Sequence, residues 1–246
     1  MDDPSARDPL HQSLRKGWEI APGQRGRYRA RVDPVILVAA VLFASACRGA
    51  GGQQTSRTAT PAVPPGTSVG FGFDAATAGP AAGRYAVTGT LWALRPEAGA
   101  PSAPNAVCRV SPNASDATLL VASPNYADLT DSVSLKPLEA GGSGLIVRAQ
   151  DARDYYLVAA DAAAGTISIE VARNGTLHTL SRVDAPVQPN TWQELSAQVR
   201  GTEITAFLDG RGLAHAHDTA FASGGIGLWS APGASACFDN LMATGL

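Results

Sequence analysis

From about residue 70 the chain alternates apolar and polar positions in short stretches broken by turn residues. Thr166-Ile167-Ser168-Ile169-Glu170-Val171 alternates with period two. Leu195, Ala197 and Val199 alternate with Glu194, Ser196, Gln198 and Arg200, and Ile204, Ala206 and Leu208 with Glu203, Thr205, Phe207 and Asp209. Such alternation predicts half-buried antiparallel strands, one face in a core and one open. Turn signals at Asn174-Gly175, Asp209-Gly210 and Gly224-Gly225, with a weaker one at Arg200-Gly201, separate them. Asn-Gly and Asp-Gly supply the positive φ angles of two-residue hairpins. The pattern contains no amphipathic helix longer than two turns. The Ala-rich stretch 151–164 carries Tyr155-Tyr156-Leu157-Val158 and reads as a strand. Strands spaced by about 8–12 residues predict an all-β sandwich or barrel, and no repeat of about 20–50 residues points to a propeller or solenoid.

The N-terminal part has a different texture. Residues 35–46, VILVAAVLFASA, are a charge-free apolar run of 12. As a helix that run is too short to cross about 30 Å of hydrocarbon, and it has the length of a signal-peptide core. Arg25, Arg27, Arg29 and Arg31 precede it, and Ala44-Ser45-Ala46-Cys47 follows. A short uncleaved anchor, a buried core helix and a plain secretory signal cut after Ala46 are the alternatives. The Cys after small residues resembles a bacterial lipobox, with Ala44 in place of the usual Leu. That resemblance implies a lipid on Cys47 and an extracytoplasmic place on the cell envelope, the membrane touched only through the anchor; secretion is the alternative. Residues 48–69 are rich in Gly, Ser, Thr, Gln and Pro, too poor in apolar groups to offset ordering, and read as a tether. The expected organisation is a leader over 1–46, a tether over 47–69 and one domain over 70–246.

Composition narrows the partners. Lys+Arg at 19 against Asp+Glu at 21 gives a net charge of −2, which argues against a strongly basic nucleic-acid binder. With Cys47 lipidated, Cys108 and Cys237 remain, an even number in an oxidising compartment, and are expected to bridge, with two buried thiols as the alternative.

The later half carries an ordered set of motifs: Asp154-Tyr155-Tyr156-Leu157-Val158, Asn190-Thr191-Trp192-Gln193-Glu194-Leu195, Phe207-Leu208-Asp209-Gly210, Gly224-Gly225-Ile226-Gly227-Leu228-Trp229 and Cys237-Phe238-Asp239-Asn240-Leu241. This succession resembles the concanavalin A-like lectin/glucanase superfamily, within it the laminin-G-like and 3-keto-disaccharide hydrolase domains. Residues 144–244 carry the match, with a looser one over 70–143 through Phe73-Asp74, Gly89, Trp92 and Ala103-Pro104-Asn105. The resemblance implies a two-sheet antiparallel jelly roll whose first and last strands lie side by side, pairing Phe73-Asp74 with Phe238-Asp239. It also implies that a structural calcium is held near the joined termini in some members; Asp74 and Asp239 are the candidate ligands here, and no cofactor is required. Trp192 opens a strand and is expected at the core edge.

The chemistry of hydrolysis is thin. Glycosidases of this superfamily cluster carboxylates on one strand, and a retaining pair sits about 5–5.5 Å apart; no E-x-D-x-x-E string occurs. A Gly-rich phosphate loop is also missing from the sequence. His215 and His217 stand two apart on a strand, a metal pair without an evident third ligand. Sugar binding needs only an exposed ring or two, for which Tyr155 or Tyr156, on opposite faces, and Trp229 are the candidates. Arg148, Glu170 and Gln198 are expected on an open sheet face. The sequence thus predicts an envelope lipoprotein displaying a non-catalytic glycan-binding jelly roll. A 3-keto-disaccharide-type glycoside hydrolase and a protein-interaction module are the alternatives.

Overall fold

A computed structural model describes residues 62–74, 79–80, 85–88, 92–109, 115–139 and 141–246. The leader, Cys47 and most of the tether lie outside the described residues. In chain order the strands are β1 (Ser68–Phe71), β2 (Gly79–Pro80), β3 (Ala86–Thr88), β4 (Trp92–Pro96), β5 (Asn105–Arg109), β6 (Ala117–Leu120), β7 (Leu129–Pro137) and β8 (Gly142–Ala149). They continue as β9 (Tyr155–Asp161), β10 (Thr166–Arg173), β11 (Thr176–Asp184), β12 (Gln193–Arg200), β13 (Glu203–Leu208), β14 (Arg211–His217), β15 (Gly225–Ser230) and β16 (Ala236–Gly245). The larger sheet has nine strands, ordered β14-β13-β12-β7-β16-β5-β4-β2, with β1 also on β16; the smaller has seven, ordered β11-β10-β9-β8-β15-β6-β3. All pairings are antiparallel. The fold is an all-β, two-sheet sandwich of the jelly-roll type.

The local signals explain the hairpins. β10 and β11 turn at Asn174-Gly175, with φ of 52° and 81°, and β13 and β14 at Asp209-Gly210, with φ of 48° and 75°. Both turns need two successive left-handed residues, which Asn, Asp and Gly adopt at least cost. Gly224-Gly225 is no hairpin turn. Gly224 bridges to Tyr126, and a Cβ on it would lie 2.4 Å from the Arg148 carbonyl carbon. The bare backbone is needed for that close approach as the chain runs into β15.

The inner faces of the sheets share one core, in which Phe73, Trp92, Leu119, Tyr126, Leu135 and Phe238 are buried. Each large side chain so buried contributes roughly 1.5–3 kcal/mol of transfer free energy. Asp131 on β7 points into this core, fully buried, and neither carboxylate oxygen makes a well-formed hydrogen bond; the Tyr126 hydroxyl is likewise unpartnered. Burial pushes the Asp131 carboxyl well above the usual carboxylate range, against a smaller pull from the Ser132 amide.

Two details of the boundary regions differ from expectation. The sandwich begins before residue 70: the Val63 amide donates to the Asn125 carbonyl, Gly66 to Gly245, and β1 pairs with β16. Main-chain bonds hold most of this segment, with only Val63 and Phe71 packed against the core, so its composition hides it. The first and last strands are neighbours, but the pairing matches Ser68–Phe71 with Leu241–Thr244, not Phe73-Asp74 with Phe238-Asp239. Cys108 and Cys237 face each other across β5 and β16 and form a disulfide with a Cα–Cα distance of 4.0 Å. Trp192 packs against this disulfide with Ala106 and Leu138, apart from the inter-sheet core.

Candidate functional site

Around β9 the smaller sheet is apolar on both faces. Along β9, Tyr156, Val158 and Ala160 enter the inter-sheet core, while Tyr155, Leu157 and Ala159 point outward. Register places Ile146 of β8 beside Leu157, and Leu157 beside Glu170 of β10. Ile146, Tyr155, Leu157, Ala172 and Trp229 form a second buried cluster on this outer face, with Leu120, Leu177 and Ala231 against it.

At one end of the cluster the face opens into a cleft of about 280 Å³. Its floor is small: Gly142 and Ala159, where a Cβ on Gly142 would touch Trp229 at 3.5 Å. Trp229 and Ala231 line it along with Ser168, Glu170, Arg182 and the turn residues Asp161 and Ala164. The Glu170 carboxylate accepts from the Ser168 hydroxyl at 2.9 Å and from Arg182 at 3.4 Å. Arg182 reaches the cleft because β11 carries an irregularity opposite Ile169/Glu170, which shifts the ladder so that Arg182 pairs with Ser168. One extra residue in one strand re-aims the side chains beyond it. Arg182 is more than half exposed and Glu170 nearly buried, so the pair presents donors outward over a held carboxylate. Farther along the face, Tyr155 is buried, and desolvation, with the charges of Asp116 and Glu170 adding to it, drives its hydroxyl far above its ordinary value. It therefore stays a proton donor at any physiological pH. The Trp229 indole N–H donates to Asp116 at 3.4 Å. The cleft thus combines an aromatic edge, a small apolar floor, a carboxylate acceptor and guanidinium and hydroxyl donors, a set suited to a ligand bearing hydroxyls and C–H faces.

Of the residues singled out in the sequence, only Glu170 and Trp229 line this cleft. Neither Tyr155 nor Trp229 is an open-face ring: they are 2% and 5% exposed, because the outer face packs into a cluster of its own. Tyr156 faces the core, its hydroxyl donating to Asp218 at 2.7 Å and accepting from the Phe221 amide. Arg148 is buried at the end of β8 rather than on an open face, with a left-handed φ of 50°. Gln198 sits on the outer face of the larger sheet, between Thr130 and Thr205.

Asp74 and Asp239 both secure the loop ahead of β5. Asp74 accepts from the Asn105 amide, and Asp239 from the amide and hydroxyl of Ser102 and the amide of Asn240. His215 and His217 are exposed on edge strand β14, with His215 Nδ1 3.1 Å from the Thr205 hydroxyl. Among the described residues, Glu97, Cys108 and Cys237 alone converge as metal-type ligands, and both sulfurs are committed to the disulfide. Ser168, Asp161 and Arg182 were missed by the sequence reading. The Ser168–Glu170 spacing of two was a usable signal for one face; the shifted register that brings Arg182 was not.

No known protein family's sequence profile matches the chain. A levanase of Bacillus subtilis is 26% identical over 130 residues, half of this chain. The chain matches only 19% of that levanase's length. Among solved structures, the carbohydrate binding module CBM66 from Bacillus subtilis superposes with a TM-score of 0.55 at 22% identity, covering 64% of this chain and 94% of that one. A GH43 protein, BlXynB from Bacillus licheniformis, gives a TM-score of 0.46 at 14% identity over 65% of this chain and 37% of that one. What is shared with the CBM66 module is the fold, a two-sheet β-sandwich.

Proposed function

We propose that this chain is a non-catalytic glycan-binding module displayed on the bacterial cell envelope, with the cleft on the smaller sheet as its sugar site. The observation that carries the reading is the juxtaposition of the Trp229 edge with the Ser168–Glu170–Arg182 set over a Gly142/Ala159 floor. The likeness of fold to a carbohydrate-binding module and the partial match to a levanase support a saccharide ligand. The lipobox-like Ala44-Ser45-Ala46-Cys47 supports anchoring through lipid on Cys47, with secretion as the alternative. Binding without turnover is favoured because the cleft's nearly buried carboxylate, Glu170, is held by Ser168 and Arg182, while Asp161 caps its own turn through the Ala163 and Ala164 amides. The binding needs no cofactor.

Calorimetry with a panel of oligosaccharides tests the reading, comparing the wild type with Glu170→Ala and Arg182→Ala. Each variant is expected to lose about 1–3 kcal/mol of affinity, the scale of a hydrogen bond to a charged group. Unchanged affinity in both would remove the cleft as the site. Sugar release that disappears in Glu170→Gln would replace binding with hydrolysis.

A further inference from the structure

We infer that a second cleft, at the opposite end of the β8–β9 hairpin, is a separate binding site for one neutral sugar ring. It is lined by Asp128, Thr202, Asp218, Thr219, Phe221 and Ala222, beside Arg148 and Gly201. The first cleft lies where Gly142 pairs with Asp161; the second lies where Arg148 follows the Val147–Tyr156 pair. Along an extended strand Gly142 and Arg148 are about 20 Å apart. The inference therefore does not rest on the sheet-face site.

The walls are set before any ligand arrives. The buried Arg148 guanidinium donates to the Ala127 carbonyl at 2.7 Å, to Gly201 at 2.8 Å, to Phe221 at 3.1 Å and to the Asp128 carboxylate at 3.2 Å. One side chain thereby ties the loop before β7, the β12–β13 turn and the segment after β14 into a single rim. A site preorganised in this way spends little binding free energy on ordering itself. Its volume of about 310 Å³ is at the lower end of the roughly 300–1,000 Å³ of small-molecule pockets, enough for one ring.

The chemistry of the rim selects the ligand. Asp128 Oδ1 is taken by Arg148 and by the Gly201 amide, whereas no partner among the described residues meets its Oδ2. Asp218 Oδ1 accepts from the Tyr156 hydroxyl and the Ala220 amide, each at 2.7 Å, and Oδ2 faces only Arg173, at 3.2 Å. Burial alone would raise the Asp218 carboxyl, but these hydrogen bonds and the Arg173 charge bring it below its ordinary value, so it is ionised at neutral pH. Two carboxylates set against Arg148 and Arg173 leave the site near electrical balance. That disfavours both anions and cations, while the open carboxylate acceptors call for O–H donors. Phe221, held edge-on against Tyr156 with ring centroids 5.4 Å apart, and Ala222 supply an apolar patch for the C–H face of a sugar. The Thr202 and Thr219 hydroxyls complete the polar side.

The test follows amide NMR signals of the isotope-labelled full-length chain during titration with methyl glycosides of glucose, galactose, mannose, fructose, arabinose and xylose. Three variants accompany it: Arg182→Ala at the sheet face, Ala222→Trp to fill the end cleft from its exposed rim, and Thr219→Val as a milder change. The expected result is a response at 201–202 and 218–222 that persists in Arg182→Ala and weakens about tenfold or more in Ala222→Trp, with Thr219→Val intermediate. A response at 218–222 alone supports the second site and removes the sheet-face reading. Shifts confined to the 159–182 strands and Trp229 overturn the second site and leave the first intact. No response to any of the glycosides overturns it as well.

Discussion

The outer faces of the two sheets were built by opposite rules. On the larger sheet, β7 alternates buried and half-exposed residues along its whole length, and its outward row of Thr130, Ser132 and Ser134 meets Gln198, Ser196 and Glu194 of β12. On the smaller sheet, β9 is buried at every position but its last, because Tyr155, Leu157 and Ala159 are covered as fully as the residues facing the core. A polar face hydrogen-bonds to water and adds little to stability, whereas an apolar outer cluster commits its strands on both sides. The sheet-face cleft lies at the edge of that second cluster, so its polar groups stand on a backing that is packed from both faces. A binding site gains precision from such support.

The contrast can be broken by mutation. Leu157→Ala, on the outer face of β9, is expected to cost about 2–5 kcal/mol, as for a core leucine, since the residue is fully buried; chemical denaturation measures it. A cost below about 0.5 kcal/mol would show that the second cluster is not a true core.

The inner face of the larger sheet offers the next test. Asp131 has a raised folded-state pKa, so its contribution to stability is fully present below the unfolded value of about 4 and is lost as pH rises through the folded value. Within that window the wild type is expected to lose about 1.4 kcal/mol per pH unit relative to Asp131→Asn. Parallel melting-temperature profiles of the two proteins would contradict the assignment. The smallest effect belongs to the polar outer face: Thr205→Ala and Gln198→Ala are expected to shift stability by no more than about 0.5 kcal/mol, and to leave sugar affinity unchanged. A loss of affinity in either would move the binding surface to the other sheet.

How much of this was legible in the sequence follows the same contrast. β12 and β13 announced themselves through alternation, and the β10–β11 and β13–β14 hairpins through Asn174-Gly175 and Asp209-Gly210, because a one-sided strand and a two-residue turn are local facts. The double burial of β8, β9 and β10 is not local. Tyr155 and Tyr156 point to opposite faces, yet both are buried, and no period-two rule separates an open face from a covered one. The cleft was half legible: Glu170 and Trp229 lie in apolar runs where their presence is informative, while Arg182 depends on one unpaired residue in β11. Arg148 in a left-handed conformation, bonding to three carbonyls, left no trace in residue order.

The pairing of β1 with the end of β16 has a mechanical meaning. The ladder runs from Ser68–Thr244 to Phe71–Leu241, antiparallel. A pull entering through the chain ahead of Val63 loads it at the Ser68–Thr244 end. The Val63–Asn125 and Gly66–Gly245 hydrogen bonds give way first, and then β1 peels from β16 one pair at a time, as a zipper opens, instead of shearing all its bonds together. Local opening of this kind requires only the weakest unit of the fold to yield. β16 keeps its bonds to β7 on either side of the Asp239/Met242 irregularity, so the rest of the larger sheet stays paired while the first strand is drawn out.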